Sequence, residues 1–117
     1  MIFSVGSSLS ALKAFGVKMG VSADNVANVE TEGYKKRRAV FKEGPNNDVQ
    51  VAVTQPETSG PVIAEVKNGQ ITEKELSNVD LAEEIPQAIL TQSGFEANLK
   101  TLQAWSEMTG TVIDMFE

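Results

Sequence analysis

Cysteine and histidine are both absent from the 117 residues of this chain. Disulfides, thiol nucleophiles, thiolate metal sites and the commonest general base are thereby excluded. An enzyme would have to work with carboxylates, lysine or serine alone, so catalysis is disfavoured and no catalytic, cofactor or metal site is expected. Long hydrophobic runs are missing too. No window approaches the ~20 apolar residues of a bilayer helix, and membrane insertion is not expected. The opening MIFSVGSSLSALKAF makes a poor secretory signal, because its first cation, Lys13, follows the apolar part and no small-residue cleavage site comes after it. It reads as mature protein.

What is present suits one domain, with an ordinary 41% of hydrophobic residues. The net charge of −6 is unevenly spread. Residues 1–42 carry seven Lys/Arg against three Asp/Glu, and residues 43–117 carry three against thirteen. An acidic total argues against nucleic acid. The asymmetry suits either head-to-tail association of copies or simply two solvated faces.

Apolar spacing divides the chain in three. From about Ser4 to Asn28, steps of four and three run through Val5, Leu9, Leu12, Gly16, Met19, Ala23 and Val26, a heptad seam. Asn28 and Gly33 then mark a stop and a turn, since both residue types tolerate the left-handed conformation that ends helices. From about 37 to 76 the period changes. RRAVF, DVQVAVT, PVIAEV and QITEKEL are short and β-branched, with Val49, Val51 and Val53 alternating as on a half-buried strand. Asn68-Gly69 predicts a type I′ hairpin turn. Asp80 followed by Glu83 predicts a capped start for a last helix. Its stripe comprises Leu81, Ile85, Ala88, Gln92, Phe95, Leu99, Leu102, Ser106, Thr109, Ile113 and Phe116, flanked by Trp105, Met108 and Val112. Pro86 predicts a kink near 82–86 or a delayed start, and Gly94 and Gly110 weaken the helix further.

The predicted architecture is α+β, with two long terminal helices pairing as a coiled coil or bundle and a small antiparallel β module between them. Its segments are 1–36, 37–76 and 77–117. The expected contact lies along Leu9, Leu12, Met19 and Val26 on one helix and Leu81, Ile85, Phe95, Leu99, Leu102, Ile113 and Phe116 on the other. Seam burial is left for other copies to complete. Gln92, Ser106 and Thr109 either fix register or mark looser packing. The run Lys35 to Arg38 reads as a solvated or subunit-contact strand in preference to a nucleic-acid patch. Glu83 and Glu84 fit the positive end of the helix dipole.

SADNVANVETEGYKKRRAVF (22–41) resembles the N-terminal signature of the flagellar axial family of rod, hook and hook-associated proteins. Asn25, Val26, Ala27 and Asn28 match its helix-ending motif, and Thr31, Gly33, Tyr34 and Lys35 match the turn after it. SNVDLAEEIPQAILTQSGFEANLKTLQAWSEM (77–108) resembles the closing segment, through Asn78, Asp80 and Leu81 and then Gln92, Phe95, Ala97 and Asn98. The resemblance covers roughly half the chain, and the short middle points to rod subunits. It implies a structural subunit of the basal-body rod, exported without a cleaved signal by the flagellum-specific type III apparatus. Its partners would be other copies and other rod or hook subunits. The alternative is a non-polymerising coiled-coil adaptor or regulator related to the same family.

Overall fold

A computed structural model describes residues 2–116, and the side chains of 5–116. Helix α1 spans Ile2–Ala27 and helix α2 spans Leu81–Phe116. Between them lie strands β1 (Arg38–Glu43), β2 (Val49–Thr54), β3 (Val62–Lys67) and β4 (Gln70–Glu75). The fold is α+β, with terminal helices in contact around two small antiparallel sheets. Glu117 at the end of the expected helix lies outside the described residues.

The middle forms two independent hairpins, β1–β2 and β3–β4. The second turns at Asn68-Gly69, with φ of 53° and 78°, as type I′ geometry requires. The first turns through a 3₁₀ segment, Pro45–Asn47, in which Asn46 and Asn47 take left-handed φ values. Hairpin β1–β2 lies back along α1. The Ser7 hydroxyl donates to the Asn47 carbonyl at 3.0 Å, and the Val49 amide donates to Ser10 Oγ at 3.0 Å. Val49 and Val51 face Ala14 and Val17. Val53 continues the alternation but remains exposed.

Helix α2 starts where Asp80 predicts. Asp80 Oδ1 accepts from the Ala82 amide at 2.9 Å, which satisfies one orphan donor of the first turn. Glu83 does not reach back to complete a capping box; it pairs with Lys36 and Arg38 instead. The helix does not begin after Pro86: it is helical from Leu81 through Phe116, 36 residues, with Pro86 inside it. Gly94 has a packing reason: a Cβ there would meet the Phe15 ring at 2.5 Å. Phe15 in turn makes an edge-to-face pair with Phe41, centroids 4.9 Å apart, and Lys18 Nζ sits 5.0 Å over the Phe41 ring. Phe15 thus ties α1, α2 and β1 together.

The helices run antiparallel, since Asn25 meets Glu84 and Phe15 meets Gly94. The molecule is a rod of 82 × 24 × 18 Å with a radius of gyration of 21.0 Å. A compact chain of this length would have roughly 13 Å. Its accessible surface is 8277 Å², against roughly 6,200 Å² for a compact monomer of its mass. Among the described residues only Ala14 and Val21 are apolar and fully buried. The fold has almost no apolar core of its own.

Candidate assembly interface

The end of α1, the start of α2 and the roots of both hairpins meet at one junction, organised by Asn25. This side chain is 1% exposed. Its Nδ2 donates to the Arg37 carbonyl at 2.8 Å and to Glu84 Oε1 at 3.0 Å. Its Oδ1 accepts from the Arg37 amide at 3.0 Å and from the Tyr34 hydroxyl at 3.1 Å. A carboxamide carries two donors and an acceptor with two lone pairs, so its capacity is filled. Asn78 does similar work nearby. Its Oδ1 accepts from the Lys36 amide at 2.6 Å, and its Nδ2 donates to the Thr58 carbonyl at 2.8 Å.

The turn between α1 and β1 is closed by side chains. Asn28 Nδ2 donates to the Asp24 carbonyl at 2.8 Å, and the Thr31 hydroxyl donates to Asn28 Oδ1 at 3.0 Å. The sequence expectation of a left-handed Asn28 is corrected here. Only Gly33, at φ 66°, takes that conformation in this turn, and Asn28 ends the helix by competing for its last carbonyl. The Gly33 amide donates to the Glu75 carbonyl at 3.1 Å, joining the turn to β4. The Glu75 carboxylate binds Lys35 Nζ and accepts from the Gly60 amide at 3.1 Å. These two donors, the lysine first, hold the Glu75 carboxyl below its ordinary range. On the adjacent face Lys74 is raised above the usual lysine value, chiefly by its hydrogen bond to Glu32 and then by the charges of Glu32 and Glu65.

The basic run is consumed within the chain. Lys35 pairs with Glu75, Lys36 with Glu83 at 3.1 Å, Arg37 with Asp24, and Arg38 with Glu83 at 3.6 Å. The Lys35–Arg38 cluster is therefore not a free basic end. Among the described residues, the cations without an ion pair are Lys13, Lys18, Lys42, Lys67 and Lys100.

Helix pairing departs from the expected seam. Leu9, Val26, Leu81, Ile85, Phe95, Leu99, Ile113 and Phe116 are exposed, whereas Leu12, Met19 and Leu102 are half-buried. The covered face of α2 runs through Glu84, Ala88, Thr91, Asn98, Leu102, Trp105 and Thr109. At 3.6 residues per turn, Leu81, Ile85 and Leu99 lie roughly 80–120° around the helix from Thr91. On α1 the covered positions include Ser8, Ala11, Ala14, Phe15, Ser22 and Asn25. The reason is steric and polar together. Small side chains and Gly94 let the helices approach, and the Asn25–Glu84 hydrogen bond fixes their register. The larger apolar stripes are left beside the contact, each exposed residue in them between about a third and nine-tenths accessible among the described residues. Ala27 and Ala97 are exposed, Gln92 donates to Glu96 at 3.4 Å, and Asn98 donates back to the Gly94 carbonyl at 2.9 Å.

Thr91, Ser22 and Gly60 were not singled out by the sequence, and Glu84 was read only as a residue suited to the helix dipole. A Cβ on Gly60 would run into the Leu76 carbonyl oxygen, so that position needs glycine. The string of small and polar residues Glu84, Ala88, Thr91 and Asn98, at steps of four, three and seven, was a readable signal for the pairing face.

No helix among the described residues is long and apolar enough to cross a membrane. Residues 7–35 match the family model of the flagella basal body rod protein, and residues 74–115 match that of the flagellar basal body rod FlgEFG protein C-terminal region. The chain is 32% identical over 104 residues to the flagellar hook protein FlgE of Treponema pallidum (strain Nichols), covering 82% of this chain and 21% of that protein. It is 44% identical over 43 residues to the flagellar basal-body rod protein FlgG of Bacillus subtilis (strain 168), covering 37% of this chain and 16% of that protein. The aligned part is thus about a fifth or less of either relative's length. Both matched regions include residues that build the junction, Asn25 to Lys35 at the end of the first and Asn78 to Glu84 near the start of the second. With its terminal helices and their connecting turns matched in chain order, the chain belongs to the flagellar rod and hook family of axial structural proteins.

Proposed function

We infer that this chain is a subunit of the flagellar basal-body rod that polymerises through its two terminal helices, and that the flagellar type III apparatus exports it. One observation carries the self-assembly reading. The stripes at Leu9, Val26, Leu81, Ile85, Phe95 and Leu99 are apolar at helical spacing and partly exposed, on a chain whose described residues include only two buried apolar side chains, Ala14 and Val21. Contiguous apolar surface of this kind marks an interaction site. Other axial subunits supply the helices that cover it. The rod layer is supported by the match at 7–35 and by a middle segment of only two hairpins. On this reading the role is architectural.

The test is complementation of a strain lacking the gene. Wild-type protein restores motility and is found in isolated basal bodies. Leu99→Asp, placed on the uncovered stripe, is exported but absent from basal bodies. Normal motility with Leu99→Asp overturns the stripe as a polymer contact and leaves the adaptor reading in its place.

A further inference from the structure

Both hairpins are two-stranded with strands of six residues, and among the described residues each has a face that is largely exposed, although the Arg38 end of the β1–β2 face pairs with Glu83 of α2. On β1–β2 the register places Arg38, Val40 and Lys42 with Thr54, Ala52 and Gln50 on the side away from α1. Val40 is 49% exposed, and Lys42 makes no ion pair among the described residues. On β3–β4 one face carries Val62, Ala64, Val66, Ile71 and Glu73. Val66 and Ile71 are 71% and 78% exposed, and Glu73 is likewise without an ion pair among the described residues. The first face is mixed, with Val40 and Ala52 among Arg38, Lys42, Gln50 and Thr54; the second is mostly apolar with an acidic side, Glu73 and, at its root on Lys35, Glu75.

The two faces do not meet within one chain. The turn of β1–β2 reaches Ser7, toward the start of α1, whereas β3–β4 is rooted at Gly33 and Lys35 beyond the end of α1 and has no packed helix against it. A lone two-stranded hairpin is marginal in water, so the uncovered face of β3–β4 calls for a cover. We propose that the apolar face of β3–β4 in one copy packs on the outward face of β1–β2 in the next copy, forming a small inter-subunit β-sandwich with Glu73 beside Lys42. The proposal rests on the self-assembly reading and names a contact for it outside the helices. Unlike faces on one chain make a heterologous contact, which propagates instead of closing into a dimer. Each sheet face is roughly 20 Å by 10 Å, well short of the roughly 800 Å² per partner of a stable interface. The contact therefore forms in the polymer, where the helices hold copies side by side, and not in dilute solution.

The test uses the lack of native cysteine. Ala52→Cys and Ala64→Cys are combined in the full chain, which is polymerised, treated with a short bismaleimide and read by denaturing electrophoresis. A ladder at multiples of the chain mass is expected from the double variant, and monomer from either single variant. Dimer from Ala64→Cys alone would mean that β3–β4 faces itself, and overturns the proposal. Polymer in the pellet without a ladder overturns the sandwich and leaves self-assembly intact, whereas no polymer at any concentration overturns both. Lys42→Glu and Glu73→Lys should each raise the critical concentration roughly tenfold, and the double exchange should return it to within about twofold. Failure of the exchange to restore assembly also overturns the pairing.

Discussion

The junction and the helix flanks invert the usual distribution of side chains. At the junction, Asn25, Glu84, Ser22 and Ser77 are buried; along the flanks, Leu9, Val26, Leu81 and Leu99 are exposed. Buried polar groups are costly unless satisfied, and satisfied ones specify geometry. Exposed leucines are single surface residues in most proteins, but here they repeat at helical spacing. The fold of the chain is thus specified by hydrogen bonds among the motif residues. On the assembly reading proposed above, its exposed apolar material is held for contacts outside the chain.

The comparison breaks most visibly at Asn25. Asn25→Ala strands the Arg37 amide and carbonyl and leaves the Glu84 carboxylate buried without its donor. A loss of roughly 2–4 kcal/mol is expected in urea unfolding of the dilute protein. If the loss is under about 0.5 kcal/mol, the junction is not what specifies the fold. Gly94→Ala pushes on the Phe15 ring and should cost roughly 1–3 kcal/mol by the same measurement, the usual range for overpacking. Asp80→Ala removes one cap, worth about 1 kcal/mol.

On the flank side, Leu99→Asp should cost the dilute chain roughly 1 kcal/mol or less, because Leu99 is 45% exposed and can keep a charge in water. Leu102→Asp sits on the covered face and should destabilise the chain itself by a few kcal/mol, since it brings an unpaired charge into the helix contact. Equal effects of the two aspartates would erase the distinction between the faces.

The smallest effect is on the root of β3–β4. Glu75 has a lowered carboxyl, so its stabilising contribution is complete above the ordinary carboxylate value and is lost as pH falls through its lowered one. Lys74 is raised, so its contribution is present below the ordinary lysine value and lost as pH rises through the raised one. Amide exchange of residues 60–76 should therefore quicken at both acid and alkaline extremes. Glu75→Gln should remove the acid limb alone.

Periodicity made much of this legible. The two helices, four strands, the Asn68-Gly69 turn and the Asp80 cap follow from local rules, because each depends on neighbours within a few residues. Two things were not legible. A heptad stripe says which face of a helix is apolar, not what covers it, so Leu81, Phe95 and Leu99 were assigned to α1 when the partner face runs through Thr91 and Asn98. And Asn25 looked like part of a stop signal, because its four hydrogen-bond partners lie nine to fifty-nine positions away. Pro86 predicted a kink or a delayed start, and the start is not delayed: Pro86 lies inside the helix that the Asp80 cap opens.

The excess accessible surface of the rod has a thermodynamic corollary. Any partner that binds the folded chain adds RT ln(1 + [L]/Kd) to its stability, about 2.7 kcal/mol at a hundred times Kd. That is the size of the loss expected at Asn25. If the chain assembles as proposed, its melting temperature becomes a function of partner concentration, and a junction variant that is unfolded in a dilute sample should regain its structure in the assembly, severe in a cuvette and mild in a cell.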